Sequence, residues 1–97
     1  MAGDAVMMPA GNRQSRFYFR MNTEDSPGVL EKVAGVFAAN GISIASVVQK
    51  EKNEDDATVP LIIMTHKAKE AGMKQSLAAL AAFPFIKGDV TVIRVED

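Results

Sequence analysis

The segment Asp25-Ser26-Pro27-Gly28-Val29-Leu30 carries residue types that could bind a small anion. Pro27 suits the first turn of a helix, because its ring fixes φ and it has no N–H group to leave unpaired. Asp25 and Ser26 have side chains that cap such a start, and Gly28 lets another molecule approach the backbone closely. A helix N-terminus with free N–H groups attracts carboxylates and phosphates. The simpler interpretation is a capped helix start without a ligand.

A small zwitterion would suit the chemistry around this segment. If the end of the first strand, the start of the first helix and the start of the second strand lie close together, then Thr23, Asp25, the backbone of Gly28 and Val29, and Ser43 converge. The carboxylate of the ligand would face the helix N–H groups, where the helix dipole contributes about 0.3–1 kcal/mol. The ammonium would meet Asp25 or backbone carbonyls. We therefore expect an amino-acid site here.

The sequence offers little for other chemistry. It contains no cysteine and one histidine, His66, so it lacks the residues for a disulfide or a thiolate metal site. It has no glycine-rich phosphate loop and no serine nucleophile elbow. The carboxylates Glu54, Asp55 and Asp56 lie in a charged segment typical of a solvated hairpin tip. We expect no catalytic residue, metal or cofactor in this chain.

Length and charge narrow the class of protein. The 97 residues correspond to one domain, and 47% of them are apolar, which is enough for a core. The 11 basic and 12 acidic residues leave no electrostatic footprint for nucleic acid. No apolar stretch approaches the roughly 18 residues of a membrane helix, and the N-terminus lacks the pattern of a signal peptide. We expect a cytoplasmic protein, with residues 1–15 a flexible tail or linker remnant and residues 16–97 the folded domain.

Hydrophobic periodicity places the elements that must position the site. Alternation predicts strands over residues 16–22, 42–50, 59–66 and 89–95, and spacings of three and four predict helices over 27–40 and 68–83. Thr65 and His66 are expected to cap the second helix or to satisfy backbone groups at a strand end. The predicted core positions are Phe17, Phe19 and Met21 in the first strand, Val29, Leu30, Val33, Ala34 and Phe37 in the first helix, and Met73, Leu77, Leu80 and Ala81 in the second.

The element order predicts an α+β, ferredoxin-like βαββαβ sandwich: a four-stranded antiparallel sheet with two helices on one face and the first and third strands central. The other sheet face would carry many apolar side chains, and such a patch is unusual in a monomer. We therefore expect a homodimer, or docking onto another domain. The residues expected on this face are Tyr18, Ala45, Val47, Ile62 or Ile63, Met64, Ile93 and Val95.

Two sequence patterns resemble a known family. The segment 25–30, followed by Asn40-Gly41-Ile42-Ser43-Ile44, resembles an ACT domain, an amino-acid-sensing regulatory module. The segments Ser46-Val47-Val48-Gln49-Lys50, Ile63-Met64-Thr65-His66 with Glu70, and Ile93-Arg94-Val95-Glu96 resemble the C-terminal regulatory domain of bacterial homoserine dehydrogenases. The resemblance covers about residues 16–97.

The resemblance implies an effector site at the first loop and helix start, often across a dimer interface. Carried onto this sequence, it implicates Thr23, Asp25, Gly28, Val29, Leu30 and Ser43. It implies threonine as a feedback effector, and a parent oxidoreductase whose catalytic and NAD(P)-binding domains are not in this chain. Two other roles remain open: a module that only assembles subunits, and a free-standing ACT-like enzyme or carrier.

Overall fold

The structure, a computed structural model, describes residues 13–95 and confirms the ferredoxin-like sandwich. Several predicted boundaries were wrong: the first strand continues to Glu24, and the last strand begins at Ile86 rather than at Asp89. Gln14 and Ser15, assigned to the tail, belong to the first strand, and Ala68 and Lys69, assigned to the second helix, form a short strand. The elements are β1 (Gln14–Glu24), α1 (Val29–Ala39), β2 (Ile44–Gln49), β3 (Thr58–Thr65), β4 (Ala68–Lys69), α2 (Glu70–Ala82) and β5 (Ile86–Val95).

The sheet has β1 and β3 at its centre, as predicted. β2 pairs with β3, β3 with β1, and β5 with β1, all antiparallel. β4 pairs with Gln14 and Ser15 of β1, and its register differs by one residue from that of the β1–β3 pair. β4 therefore continues β3 as the neighbour of β1. This continuation is the fifth strand that the alternation did not predict.

One core joins both helices to one face of the sheet. Phe17, Phe19 and Met21 of β1 are almost completely buried, as the alternation predicts. Phe19 meets Phe37 of α1 edge to face, with the ring centroids 4.8 Å apart. Leu80 of α2 is buried in the same cluster. Such pairs contribute about 0.5–1.5 kcal/mol beyond the area they bury.

The helices bury narrower stripes than their sequences suggested. Val29, Val33 and Phe37, spaced by four, form the buried stripe of α1, whereas Leu30 is 40% exposed. In α2 Ala81 is exposed and Ser76 is buried instead. Each helix lies on the sheet along one line of contact, so positions at the edge of the apolar arc remain in solvent.

A bulge in β2 changes the side of the sheet on which part of this strand's side chains lie. Ile44 pairs with Thr65, but Ser46 pairs with Met64, so Ala45 is the extra residue. Beyond the bulge Ser46 and Val48 lie on the sheet face away from the helices, here called the open face, and Val47 lies opposite Ile63 on the helix side. The expected placement of Val47 on the open face was therefore wrong, and Ala45 is the unpaired residue of the bulge. In β3 it is Ile62 that lies on the open face, since Ile63 is fully buried.

The role predicted for Thr65 is confirmed. Its side chain is buried, and its Oγ1 accepts a 3.0 Å hydrogen bond from the backbone N–H of Phe17. His66 is exposed, and its backbone N–H donates to the Ser43 carbonyl at 2.9 Å. These bonds close the end of the sheet where β3 ends and β2 begins.

Candidate functional site

The first loop, residues 24–28, connects the end of β1 to α1. Gly28 immediately precedes the helix and has φ 85°, a left-handed conformation that favours glycine over residues with a Cβ. Val29 N–H donates to the Ser26 carbonyl at 3.4 Å, and Lys32 N–H donates to the Gly28 carbonyl at 3.1 Å. The helix therefore begins at Val29, two residues later than Pro27 suggested.

The start of α1 is open. No side chain caps it, so the expected capping by Asp25 or Ser26 was wrong, and both residues are exposed. Within residues 13–95 the backbone N–H groups of Leu30 and Glu31 have no hydrogen-bond acceptor. The first N–H groups of a helix carry its positive end. An anionic group arriving at this loop would find donors that Asp25 has not occupied.

The predicted site residues differ in accessibility. Asp25 and Gly28 are exposed and Leu30 is 40% exposed, so all three are presented to solvent. Thr23 is buried, and its hydroxyl donates to the Val59 carbonyl at 3.4 Å. Val29 has its side chain in the core. Thr23 and Val29 therefore support the loop from below, and a ligand would meet Asp25, Gly28 and Leu30.

Ser43 does not join the other five residues within one chain. Thr23 pairs with Val59 near the start of β3, whereas the Ser43 carbonyl accepts from His66 beyond the end of β3. The register places these levels about seven residues apart along the sheet, or about 23 Å at 3.3 Å per residue. The expected convergence was wrong for a single chain, because α1 returns the backbone along the length of the sheet before β2 begins.

Residues from the α2–β5 connection adjoin the first loop and were not anticipated. The backbone N–H of Glu24 donates to the Phe85 carbonyl at 2.8 Å, and the Glu24 carboxylate lies 2.9 Å from Lys87 Nζ. Phe85 stacks on Phe83 at 4.5 Å, and Lys32 Nζ lies 5.8 Å from the centroid of the Phe85 ring. In the sequence, the aromatic residues on either side of Pro84 could have indicated that this connection packs against another element. These contacts attach the two ends of the loop, at Glu24 and Lys32, to the α2–β5 connection and the start of β5.

The charged hairpin tip holds its own hydrogen-bond network. The hydroxyl and backbone N–H of Thr58 donate to the Asp56 carboxylate at 2.7 and 3.1 Å, and these bonds hold the pKa of Asp56 below its usual value. Ala57 adopts φ 60° between them. Asn53 Nδ2 donates to Thr58 Oγ1 at 3.0 Å. The network shapes the turn.

Two of the concave surfaces among the described residues lie at the Ser43 end and on the open sheet face. One, of about 330 Å³, is at the Ser43 end, between Gln14, the α1 terminus at Asn40 and Gly41, and the start of α2. The other, of about 530 Å³, is a shallow depression on the open sheet face over β1 and β5. Across residues 13–95 no three histidine or acidic side chains are arranged to hold a metal ion. Neither helix in that range has the length and apolarity to cross a membrane.

Comparison with known proteins identifies this architecture. The model of the ACT domain family matches residues 18–85. The homoserine dehydrogenase of Pseudomonas aeruginosa is 40% identical over 93 residues, covering 96% of this chain and 21% of that protein. The homoserine dehydrogenase of Corynebacterium glutamicum is 35% identical over 86 residues, covering 89% and 19%. The chain thus spans about a fifth of the length of these relatives.

Solved structures of other proteins have the same fold as this chain. A homoserine dehydrogenase from Thiobacillus denitrificans superimposes with a TM-score of 0.83 at 28% identity, over 98% of this chain and 20% of that one. The regulatory subunit of aspartate kinase from Thermus flavus shares the fold, with a TM-score of 0.62 at 20% identity, over 87% of this chain and 54% of that one. From the family model, which matches most of the described sheet and both helices, the chain belongs to the ACT domain family.

Proposed function

We propose that this chain is the amino-acid-binding regulatory domain of a homoserine dehydrogenase and that threonine is its effector. The observation that supports this function is the uncapped start of α1, where within residues 13–95 the Leu30 and Glu31 N–H groups have no acceptor and Asp25 is exposed. The relatives that cover nearly all of the chain are homoserine dehydrogenases. The parent chain would supply the catalytic domain and its NAD(P), and the assembly would be a cytoplasmic homodimer.

A bound amino acid would use both charges of the loop. Its carboxylate would accept from the Leu30 and Glu31 N–H groups, and its ammonium would pair with Asp25. The exposed Leu30 side chain offers an apolar contact for the threonine methyl group. The space beside Gly28 is open, since an added Cβ there would meet nothing within 4 Å. A ligand could therefore approach the backbone at this position. Ser43 joins such a site only from a second copy of the chain.

Regulation requires the effector to favour one state of the parent enzyme. A useful coupling free energy is about 1–3 kcal/mol, or roughly a 5- to 150-fold change in affinity. The contacts between the first loop and Phe85 and Lys87 connect the site to β5, so a ligand at the loop would act on more than one element.

Isothermal titration with L-threonine, and with L-lysine and L-methionine as competitors from the same biosynthetic branch, tests the proposal. We expect saturable binding of L-threonine and a loss of roughly 10- to 150-fold in affinity for Asp25→Asn, since a charge-assisted hydrogen bond contributes roughly 1.5–3 kcal/mol. Asp89→Asn is the matched control, because Asp89 is also an exposed aspartate but lies on β5. The absence of heat with all three amino acids at millimolar concentration would refute an effector site.

The open sheet face favours a second candidate, a module that assembles subunits and senses nothing. Ile93 is 52% exposed and Val48 is 47% exposed on that face. In this case Asp25→Asn would leave the kinetics of the parent enzyme unchanged both with and without threonine. A difference between the two proteins that appears only with threonine would exclude the assembly-only role.

A further inference from the structure

We infer that the ion pair between Glu70 and Arg94 is a regulatory clamp, which holds residues 13–15, here called the entry segment, and responds to the effector at the first loop. The inference deepens the proposed function and rests on its effector site. Glu70 and Arg94 belong to the sequence patterns described above, and the site at the first loop uses neither of them. The structure brings them together, since Arg94 Nη2 donates to a carboxylate oxygen of Glu70.

Glu70 ties the start of β1 to the end of β5. Gln14 and Ser15 pair with β4, whose two residues immediately precede α2. The backbone N–H of Glu70, the first residue of α2, donates to the Arg13 carbonyl at 2.9 Å. The carboxylate of the same residue pairs with Arg94, one residue before the end of β5. The backbone of Glu70 therefore holds the entry segment, and its side chain holds the last strand.

Both ends of the described chain lie beside this clamp. The register pairs Arg16 with Val95, so the first residues of β1 and the last residues of β5 are at the same end of the sheet. A further domain of a parent chain attaches through residues before 13 or after 95. Either route passes the Glu70–Arg94 pair, so the state of the pair bears on how such a domain is held.

Arg94 is the partner of Glu70 that connects two elements. The Glu70 side chain is 13% exposed and that of Arg94 is 41% exposed. A second cation, Lys74, has its Nζ 3.7 Å from the other carboxylate oxygen, but its side chain is 68% exposed and it lies in α2 with Glu70. Removal of one partner from a largely buried carboxylate is costly, because water replaces the lost contact poorly. The loss of Arg94 should therefore loosen the clamp more than the loss of Lys74.

α2 and β5 connect the clamp to the effector site. The connection between them holds the first loop, where the Glu24 N–H donates to the Phe85 carbonyl and the Glu24 carboxylate pairs with Lys87. α2 has 13 residues and spans about 20 Å at 1.5 Å per residue, and it lies against β5. The chain connection joins the two elements at the effector end, and the Glu70–Arg94 pair joins them at the other.

This closed α2–β5 unit gives the effector a route to the entry segment. A ligand that restrains the first loop also restrains the connection at Phe85, and the ion pair passes that restraint to residues 13–15. Coupling of this kind needs no change of shape, because a restraint at one site alters the local opening at another. Its observable is the rate of amide hydrogen exchange.

Hydrogen exchange measured by NMR tests the clamp with two matched amides. The N–H groups of Glu70 and His66 each donate to a backbone carbonyl at 2.9 Å, those of Arg13 and Ser43, at the same end of the sheet. We expect the Glu70 N–H to exchange about five- to tenfold faster in Arg94→Gln, with the His66 N–H changed by less than about twofold.

Two further variants separate the clamp from a general loss of charge. Lys74→Gln removes the exposed partner of the same carboxylate and should change neither amide by more than about twofold, whereas Arg94→Lys should retain most of the protection of the Glu70 N–H. Circular dichroism establishes that the variants are folded. Equal acceleration of both amides in Arg94→Gln, or equal effects of Arg94→Gln and Lys74→Gln, would overturn the clamp.

The same amides test the response to the effector. Saturating L-threonine should slow exchange of the Glu70 N–H about threefold more than exchange of the His66 N–H, and Arg94→Gln should abolish this difference. Binding of threonine without the difference overturns the response and leaves the proposed effector intact. Absence of binding in the calorimetric titration overturns the effector and the response together. The comparison of Arg94→Gln with Lys74→Gln needs no ligand, so it decides in every case whether the ion pair holds the entry segment.

Discussion

A methyl group added at Gly72 would make a close packing contact as well as raise helix propensity, so comparison with a glycine that lacks the contact can measure the two effects separately. A Cβ at Gly72, in the first turn of α2, would lie 2.9 Å from the Asn40 carbonyl oxygen and 3.6 Å from the Ile42 side chain. A Cβ at Gly35, in the middle of α1, would meet nothing within 4 Å. The substitutions Gly72→Ala and Gly35→Ala therefore make the same chemical change with and without a close neighbour.

The structure sets the expected magnitudes. Alanine is more favourable than glycine inside a helix by about 0.8–1.0 kcal/mol, so Gly35→Ala should raise the free energy of unfolding by about 1 kcal/mol. Gly72→Ala gains at most the same amount. It must also displace a backbone oxygen at a tight turn, where the N–H groups of Asn40 and Ile42 both donate to the Phe37 carbonyl, at 3.1 and 2.9 Å. Overpacking of this kind costs about 1–3 kcal/mol.

Urea denaturation followed by far-ultraviolet circular dichroism measures both variants. We expect Gly72→Ala to be about 1–3 kcal/mol less stable than Gly35→Ala, with the denaturant dependence unchanged. Because helix propensity is common to both variants, the difference reports the contact of α2 with the end of α1. Equal stabilisation by the two substitutions would refute the close approach of these elements.

Three further changes test local features. Ala57 has φ 60°, and a left-handed backbone costs a residue with a Cβ about 1–2 kcal/mol, whereas glycine loses about 0.5–1 kcal/mol more in entropy on folding. The melting temperature of the Ala57→Gly variant should therefore rise. A lower melting temperature would contradict the strain at Ala57. Thr65→Val removes the acceptor of the buried Phe17 N–H and should cost about 1–3 kcal/mol in urea, whereas an unchanged midpoint would exclude a role for that bond. The bonds from Thr58 lower the pKa of folded Asp56, so their stabilisation is present above about pH 3.9 and is lost as pH falls through the folded pKa. The stability difference between the unmodified chain and Asp56→Asn should shrink on acidification, and carbon-detected NMR titration should place the pKa of Asp56 below that of an unstructured aspartate.

Much of the fold was readable from local patterns. The alternation of Phe17, Phe19 and Met21 predicted the buried face of β1, because successive strand residues point to opposite sides. The spacing of Val29, Val33 and Phe37 predicted the buried stripe of α1. The pattern failed at Ala45, since a bulge is a property of two paired strands and leaves no mark in the alternation of one.

The candidate site was predicted in part. Asp25, Gly28 and Leu30 are presented together at the helix start, and the glycine is at a position that requires a positive φ. The sequence suggested that Asp25 or Ser26 would cap the helix, since both residue types favour that position. Whether a side chain reaches the N–H groups depends on the path of the loop, whose first residue, Glu24, is held by Phe85 and Lys87 from a distant part of the chain.

The sequence by itself determined the order of the elements, the buried face of β1 and the place of the turn before α1, because these follow from steric limits and from periodicity within a few residues. Only the tertiary structure decided that the α1 start is uncapped, that Ser43 lies at the far end of the sheet and that Val48 rather than Val47 faces away from the helices. Those outcomes depend on strand register and on contacts between residues far apart in the chain. Hydrogen bonds and packing across the sheet fix them, and local sequence does not encode which partners will meet.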